Sequence, residues 1–549
     1  MNNVSLYLGS IPLLSQTASI AYTASSATNV LTASLLGAIP NDFFNKTDWT
    51  IPAFTKTNSQ SMAVSTNLLV YINNRPYSFT SGSSITLPTT MLAGNDYGIY
   101  ATTASGLVAT YTNTSSIAYG GYTPPTPYNA TNSKLIGGFY FAHNSFTPLS
   151  VISRSCSGGA AGSASISMSV ANTGLVTGDY IDVILMTDLD YNVVNIPVTA
   201  SGATLTFPLS HSAEAYTVDT AGKVYKINNS GSINQYSIWD LKYRPDCVDP
   251  RGMVLVDNSF WVDIWMTGRN YINTGTSRKG ERIADGENAT SYPLVSTLMG
   301  GTGTNTYGNC TWFSANEVVS HWGKKLLSYS DFCVAAYNGV TENNSYGTDN
   351  QYTCRPPDAK YTSKWGMEQS YGIMHIWGSD LLFEFDGASY ASSSVTLSSV
   401  TRSLSTNIAS ITCSTAHNLQ VGDVITTTLF GVTTYNRSLT TVLDVPSNTS
   451  FTYNTSGSTE AATPDTTGRI TSGLPVTSVT FPTYNYSANT GGRGSMYIAG
   501  SYGLVAGIYG GLWSGGTNAG SRFSAWNNFV WDNYYNIGLR GRCNHLVVP

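Results

Sequence analysis

The most informative part of the chain is residues 510–546, which read GGLWSGGTNAGSRFSAWNNFVWDNYYNIGLRGRCNHL. Four aromatic residues, Phe529, Trp531, Tyr534 and Tyr535, stand among polar neighbours with neither helical nor alternating periodicity, which is not the pattern of a buried strand. Exposed aromatic rings offer a large contact area with few rotatable bonds, and tyrosine adds a hydroxyl group. The stretch therefore predicts a surface that binds another molecule; the alternative is a loop folded over a local aromatic core.

The composition narrows the possible partners. Charged residues make up 10% of the 549 residues and the net charge is −5, whereas an ordinary soluble domain has roughly 25% charged residues. Since no basic stripe is present, a nucleic-acid partner is not expected. No apolar run reaches the ~18 residues of a membrane span, so no membrane insertion is expected. No basic residue precedes the short apolar stretch near residues 11–14, so a secretory signal is not expected either.

An internal repeat organises the middle of the chain. The first copy, within residues 147–231, contains Leu175-x-x-Gly178-Asp179-x-Ile181, and the second, within residues 391–485, contains Leu419-x-x-Gly422-Asp423-x-Ile425. Each copy is predicted to be a small all-β module in which Gly-Asp turns the chain before a strand. We interpret the copies as structural inserts, with a spacer or a carbohydrate-contacting module as the alternative.

The chain before the first copy, residues 1–146, predicts an N-terminal β region. Short apolar runs near 68–72, 96–100 and 134–141 alternate with turn residues such as Asn73-Asn74.

Residues 232–390 and 486–549 surround the second copy and predict one mixed α+β domain. Helical spacing occurs at 316–322 and 330–337, with Ser330 or Asp331 as the expected N-cap of the second helix. The tail, 488–549, is rich in glycine, asparagine, serine and tryptophan and is expected to be loop-like.

The tail resembles the variable proteins of diversity-generating retroelements, of the major tropism determinant type that phages use as receptor-binding proteins. Upstream segments typical of the same family are SIWDLKYRP at 237–245, DPRGM at 249–253, FWVDI at 260–264, SKWGMEQ at 363–369 and GGRG at 491–494. The resemblance implies a mainly β chain with a C-terminal α+β C-type lectin fold of the formylglycine-generating-enzyme subtype, with the small all-β modules inserted.

In such systems a reverse transcriptase copies a template with errors at adenines, so that asparagine codons become codons for other residues. The resemblance implies that the receptor-binding, variable positions are Leu512, Ser514, Gly515, Thr517, Phe523, Ala525, Phe529, Trp531, Asp532, Tyr534 and Tyr535. It implies a fixed scaffold of Trp513, Asn518, Arg522, Trp526 and Arg540, with both tryptophans buried. We expect the arginines, Arg542 included, to donate to carboxylates or loop carbonyls. Gly510, Gly511, Gly520 and Gly538 are expected to permit tight turns.

The resemblance further implies a non-enzymatic protein at the tip of a phage tail fibre, made in the host bacterial cytoplasm. Its expected partners are a host-cell surface receptor, protein or glycan, and other tail proteins, and the resemblance implies a homotrimer. Residues 1–146 are expected to attach the protein to the virion and to help it trimerise. No cofactor and no metal are expected.

Two other functions stay open. A tail-fibre depolymerase would need a carboxylate pair such as Glu342 and Asp349, and a bacterial surface adhesin would need a route to the surface. The oxidase chemistry associated with the implied fold would need a reactive cysteine such as Cys543, but fold does not carry function.

The other titratable residues are interpreted as structural. The seven cysteines are expected to be buried free thiols, because an odd, scattered set forms neither a disulfide framework nor a zinc ribbon. His321 and His375 are expected to be hydrogen-bonded core residues, and His545 to pack at the terminal strand. Asp182, Asp188 and Asp190 are expected to be solvated, with calcium binding as the alternative.

Overall fold

The computed structural model describes a chain built mostly of β-strands. The described residues are 7–8, 11–12, 43–111, 127–129, 131–144, 148–170, 173–275, 277–286, 289–338, 345–347, 360–384, 400–405, 407–414, 416–417, 419–465, 467–472, 496–497 and 503–546. Glu342, Asp349, Cys354 and the glycine-rich segment 491–494 lie outside them. No helix among the described residues is long and apolar enough to cross a membrane.

The N-terminal region consists of small antiparallel sheets around one apolar core. Its strands are β1 (Tyr7–Leu8), β2 (Ile11–Pro12), β3 (Phe44–Lys46), β4 (Phe54–Asn58), β5 (Ser61–Val64), β6 (Leu68–Ile72), β7 (Arg75–Phe79), β8 (Asn95–Thr102), β9 (Leu107–Tyr111) and β10 (Ser133–His143). The strands predicted near 68–72, 96–100 and 134–141 are present as β6, β8 and β10. Asn73 and Asn74 turn the chain between β6 and β7 with positive φ angles, which asparagine tolerates better than most residues.

The first repeat copy forms a compact β module with its own core. Its strands are β11 (Leu149–Cys156), β12 (Ser163–Met168), β13 (Tyr180–Ile184), β14 (Val193–Pro197), β15 (Thr199–Ser201), β16 (Thr204–Pro208), β17 (Glu214–Val218) and β18 (Lys223–Lys226). Buried charges hold the module to its neighbours: Lys279 Nζ lies 2.7 Å from Asp182 Oδ2 and donates to the Ala93 carbonyl at 2.9 Å.

The chain then builds the first half of a mixed α+β unit. Its elements are β19 (Gly231–Ile233), β20 (Trp239–Asp240), β21 (Met253–Val256), β22 (Phe260–Asp263), α1 (Tyr271–Thr274), α2 (Trp312–Ser320), β23 (Lys325–Leu326), α3 (Tyr329–Ala335) and β24 (His375–Glu384). Both predicted helices are present as α2 and α3, but the predicted cap of α3 was wrong. Ser328 is the N-cap and Asp331 occupies the third helical position, so that the two residues form a capping box.

The second repeat copy has strands β25 (Val400–Ser405), β26 (Ile408–Thr412), β27 (Val424–Thr428), β28 (Arg437–Ser447), β29 (Ser450–Asn454), β30 (Glu460–Asp465) and β31 (Arg469–Ser472). Its pairings β25–β26, β26–β29, β25–β30, β27–β28 and β27–β31 match β11–β12, β12–β16, β11–β17, β13–β14 and β13–β18 of the first copy. The Gly-Asp turns also match, since Asp179 accepts the Val176 N–H at 2.9 Å and Asp423 accepts the Gln420 N–H at 2.8 Å.

The last strands complete the mixed unit. They are β32 (Met496–Tyr497), β33 (Gly503–Tyr509), β34 (Ser524–Phe529), β35 (Ile537–Gly538) and β36 (Gly541–Asn544). One sheet has the order β32-β34-β33-β24-β35 and the other β21-β22-β36-β23, so both combine strands from the two sides of the second copy. The expectation of a loop-like tail was therefore wrong for these strands, whose apolar residues, such as Val505 and Ile508, are buried.

Candidate functional site

Two loops of the C-terminal sheet enclose a cleft at one end. Residues 510–523 connect β33 to β34, and residues 530–536 connect β34 to β35. The cleft has a volume of about 590 Å³, and its lining is His375, Ile508, Leu512, Gly515, Asn518, Phe523, Ala525, Asn527, Asn528, Asp532, Tyr534, Asn536 and Ile537. That volume lies within the range of ~300–1,000 Å³ that is usual for small-molecule sites.

The predicted variable positions gather at this cleft in two groups. Those in its lining are Leu512, Gly515, Phe523, Ala525, Asp532 and Tyr534. The others, Ser514, Thr517, Phe529, Trp531 and Tyr535, are at least partly exposed and are not in the lining. Phe523 and Ala525 are buried, so a ligand reaches them only through the cleft.

Exposed aromatic rings form a rim next to the cleft, which we define as Phe529, Trp531, Tyr534 and Tyr535. The Phe529 and Trp531 rings stack with centroids 4.8 Å apart and planes 5° apart. Trp531 is 58% exposed, Tyr534 47% and Tyr535 41%. These three rings project into solvent instead of filling a local aromatic core. Clustered exposed aromatics of this kind are typical of binding hot spots.

Arg540 is a buried scaffold residue that holds two backbone segments together through hydrogen bonds. It is 1% exposed, and its guanidinium donates to the carbonyls of Asp263 at 2.8 Å, Ile264 at 2.6 Å, Glu368 at 2.8 Å and Gln369 at 3.1 Å. Burial lowers the pKa of Arg540 to about 10. Arg540 is thus a donor to loop carbonyls, as predicted, and it joins the end of β22 to the segment that precedes β24.

Other scaffold residues differ from expectation. Arg522 is exposed, and among the described residues its guanidinium has no hydrogen-bond acceptor, so its role as a structural donor stays a prediction. Trp513 and Trp526 are only partly buried. The ring centroids of Trp513 and Tyr535 are 5.6 Å apart, and those of Trp526 and Tyr509 are 6.2 Å apart. Trp513 is therefore next to the aromatic rim, through its contact with Tyr535. Asn518 is exposed and lines the cleft.

The glycines divide into required and replaceable positions. Gly510 and Gly511 have φ of +89° and +77°, and a Cβ on Gly511 would stand 2.6 Å from the Ala519 Cβ. Gly515 has an ordinary helical φ of −70°, and its nearest neighbour to an added Cβ is the Leu512 carbonyl at 3.2 Å. A side chain is thus excluded at Gly511 and nearly fits at Gly515. Gly538 is constrained by packing, since its Cβ would meet Met266 at 2.7 Å.

Backbone contacts from outside the loops hold the first loop in place. The Gly347 N–H donates to the Trp513 carbonyl at 2.8 Å, and the Gly516 N–H donates to Ser345 Oγ at 3.0 Å. The second loop is held similarly, because Asn533 Oδ1 accepts the Cys310 N–H at 3.0 Å. None of these contacts uses the side chain of a predicted variable position, so those side chains can change without loss of the loop backbone.

Asp532 is a predicted variable position whose side chain does bond to the loop backbone. Its Oδ2 accepts the Phe529 N–H at 2.8 Å, while its own N–H donates to the Phe529 carbonyl at 2.9 Å. Burial raises the pKa of the Asp532 carboxyl. Asp532 therefore closes a turn as well as lining the cleft, which the sequence pattern did not indicate.

His375 is one of the cleft residues that the sequence did not indicate; the others are Ile508, Asn527, Asn528, Asn536 and Ile537. It begins β24, is 6% exposed and lies 5.1 Å from the Phe523 ring between centroids. Its Nδ1 is enclosed and has no hydrogen-bond partner among the described residues, so the expectation of a hydrogen-bonded core histidine was wrong. Burial lowers the pKa of His375 to about 3. Nothing local in the sequence distinguishes it from His321, which does bond to Ser296 Oγ at 2.7 Å.

The other candidate sites do not gather around the cleft. Asp182 is buried against Lys279 and is not solvated. Asp188 and Asp190 lie near His211, with ligand atoms within 4.8 Å of one another, but Arg154 approaches Asp188 to 3.9 Å and its charge opposes a cation there.

The cysteines and His545 are mostly as expected. Among the described cysteines, five are buried free thiols, Cys156, Cys247, Cys310, Cys413 and Cys543, and Cys333 is partly exposed. Burial raises the pKa of the Cys543 thiol, which opposes reactivity. His545 accepts the Trp261 Nε1–H at 2.9 Å beside the terminal strand.

Comparison with known proteins identifies relatives. The family described as "Mtd second domain" matches residues 52–166. A tail fiber receptor-binding protein of Bordetella phage BPP-1 is 25% identical over 511 residues, covering 92% of this chain and 85% of that protein. Among solved structures, the Major Tropism Determinant U1 variant is 25% identical with a TM-score of 0.50, covering 92% of this chain and 86% of its own. The M1 variant is 24% identical with a TM-score of 0.50, covering 93% and 87%.

These similarities indicate the fold of the chain and the group of proteins that it resembles. The matched structures have a C-type lectin fold, so the predicted fold class, mainly β with a lectin-like domain, is confirmed. The resemblance first seen in residues 510–546 extends over nine-tenths of the chain. The chain is therefore similar in sequence and in fold to the major tropism determinants, the group to which its C-terminal motifs point.

Proposed function

We propose that this protein is a phage receptor-binding protein whose C-terminal lectin-like domain presents the cleft and the aromatic rim to a host-cell receptor. The observation that carries the proposal is the gathering of predicted variable positions at one end of a rigid sheet, on loops whose backbone is held by other residues. A relative that is a tail fiber receptor-binding protein supports it. The relative also argues against an enzymatic role.

The proposal extends to the place of the protein in the virion. We infer that it stands at the tip of a tail fibre as a homotrimer, contacts other tail proteins through residues 1–146, and carries the modules 147–231 and 391–485 as accessory inserts. The lectin-like domain would then comprise 232–390 and 486–549. Several copies per virion would raise avidity even where each contact is weak.

The variable positions are proposed to differ among phage in one population. Side chains such as Tyr534 and Trp531 would be one of many variants produced when a template is copied with errors at adenines. The backbone contacts at Trp513 and Gly516 would stay the same in every draw.

The test is binding of the full-length protein to host cells, measured by flow cytometry. Trp531→Ala combined with Tyr534→Ala is expected to reduce binding by tenfold or more, since truncation of a hot-spot residue costs about 2 kcal/mol or more. The matched control is Tyr216→Ala, which removes a 70% exposed tyrosine from the first module. Equal loss in the control, or none in the double variant, would overturn the proposal.

A further inference from the structure

His375 has an enclosed ring nitrogen that no described residue satisfies. Its Nδ1 is buried, and neither ring nitrogen has a hydrogen bond to a described residue. Nδ1 stays enclosed whether or not a ligand binds, but Nε2 is not among the enclosed atoms. Because the ring lines the cleft, Nε2 is the nitrogen to which a ligand can bond, and a ligand group placed there would give the ring the hydrogen bond that the described residues do not supply.

The polar part of the cleft lining is rich in amides and lacks cationic groups among the described residues. Side-chain amides come from Asn518, Asn527, Asn528 and Asn536, and among the described residues no lysine or arginine contributes. An anionic ligand would therefore meet no charge partner, and it would lie near the Asp532 carboxyl. Amides both donate and accept, which matches ligands rich in hydroxyl groups.

Aromatic and apolar surfaces complete the cleft. Phe523 and Tyr534 line it beside Ile508 and Leu512, and the stacked pair Phe529–Trp531 lies next to it. A pyranose ring presents an apolar C–H face that can pack on such rings, together with hydroxyls for the amides. The cleft is concave and half open, a shape that holds a compact ligand more readily than the flat patch of a protein surface.

We propose that the cleft binds a neutral saccharide of the host surface and that His375 is its fixed hydrogen-bonding anchor. This inference rests on the proposed function, because it names the ligand class of the same surface. His375 lies on β24, outside residues 512–535. We therefore expect histidine at this position in every variant, whatever side chains occupy the variable positions. The variable positions would select among saccharides, and His375 would hold a hydroxyl that all of them share.

The experiment uses the full-length protein on an array of neutral and anionic bacterial surface oligosaccharides, followed by calorimetry on the neutral ligands that bind. His375→Phe keeps a ring against Phe523 and removes both nitrogens. We expect it to weaken binding about threefold to tenfold, the effect of one lost hydrogen bond, without lowering the thermal midpoint. Affinity of the unmodified protein should be constant from pH 5.5 to 8, because the imidazole stays neutral. His211→Phe, which removes an imidazole from the first module, is the control and should leave affinity unchanged.

Three outcomes would overturn the inference: no neutral oligosaccharide binds, anionic ones bind more tightly, or His375→Phe binds as well as the unmodified protein. A parallel assay uses host cells whose vicinal diols have been oxidised with periodate. If binding survives periodate yet is lost in the Trp531→Ala, Tyr534→Ala protein, the receptor is a protein; the proposed function then stands and the saccharide inference fails. If binding does not depend on the aromatic rim, both fail.

Discussion

Replacement of Arg540 by methionine is expected to destabilise the lectin-like domain by about 3 kcal/mol. The guanidinium makes four hydrogen bonds to buried carbonyls, and bonds from a charged donor contribute at least about 1.5 kcal/mol each. Part of that loss of about 6 kcal/mol is offset because the variant no longer buries a charge. Burial lowers the pKa of Arg540 to about 10, which is the sign of that cost. We therefore expect about half of the loss, about 3 kcal/mol, to remain.

Tryptophan fluorescence during thermal unfolding is the suitable assay, because ten of the eleven tryptophans lie between residues 239 and 531. A loss of about 3 kcal/mol in a unit of this size lowers the midpoint by roughly 6–12 °C. Arg542 offers a matched control two residues away. It forms a partly exposed ion pair with Asp331 at 3.0 Å, and such pairs contribute about 0–1 kcal/mol.

Arg542→Met should therefore melt within a few degrees of the unmodified protein. The reasoning would be refuted if Arg540→Met melted as high as the unmodified protein, or if both variants lost equal stability. Either result would mean that the four carbonyl contacts do not hold the scaffold.

Three further predictions concern the cleft. Gly511→Ala should lose about 2 kcal/mol or more in thermal unfolding, because φ is +77° and Ala519 blocks the new Cβ, whereas Gly515→Ala should stay within about 0.5 kcal/mol. Asp532→Ala should lose about 1 kcal/mol with the turn-closing bond, and Asp532→Asn should retain most of it, as measured in urea. For His375, whose folded pKa is about 3 and unfolded pKa about 6.5, the unfolded state gains a proton as pH falls below 6.5, so stability drops there. His375→Phe cannot take up that proton. Its free energy of unfolding, relative to that of the unmodified protein, should therefore rise by about 2 kcal/mol as the pH falls from 7.5 to 5.0. If that difference in free energy does not change with pH, the imidazole is solvated.

The sequence was most informative where local chemistry imposes a conformation. Gly178-Asp179 and Gly422-Asp423 indicated equivalent turns because a positive φ and a side-chain acceptor suit those two residue types, and both turns are present. The same reasoning applies to Gly511, whose backbone conformation excludes other residues.

Long-range neighbours explain what the sequence did not predict. Arg540 and Arg522 are the same residue type in similar polar surroundings, yet one meets four carbonyls from distant segments and the other faces solvent. From the sequence, His375 is interpreted as a core residue. In the structure its ring contacts Phe523, which lies about 150 residues later in the chain, and that contact places it at the cleft. The tail has little apolar periodicity because its strands are short and are separated by loops.

Deep sequencing of this coding region in a phage population tests the central claim most directly, namely that the cleft and aromatic rim form a diversified receptor-binding surface. The account predicts substitutions confined to about codons 512–535, at adenines of a nearby template repeat, with Gly511, Trp513 and Arg540 unchanged. Variation spread evenly along the chain, or replacement of Gly511 as often as Gly515, would contradict it.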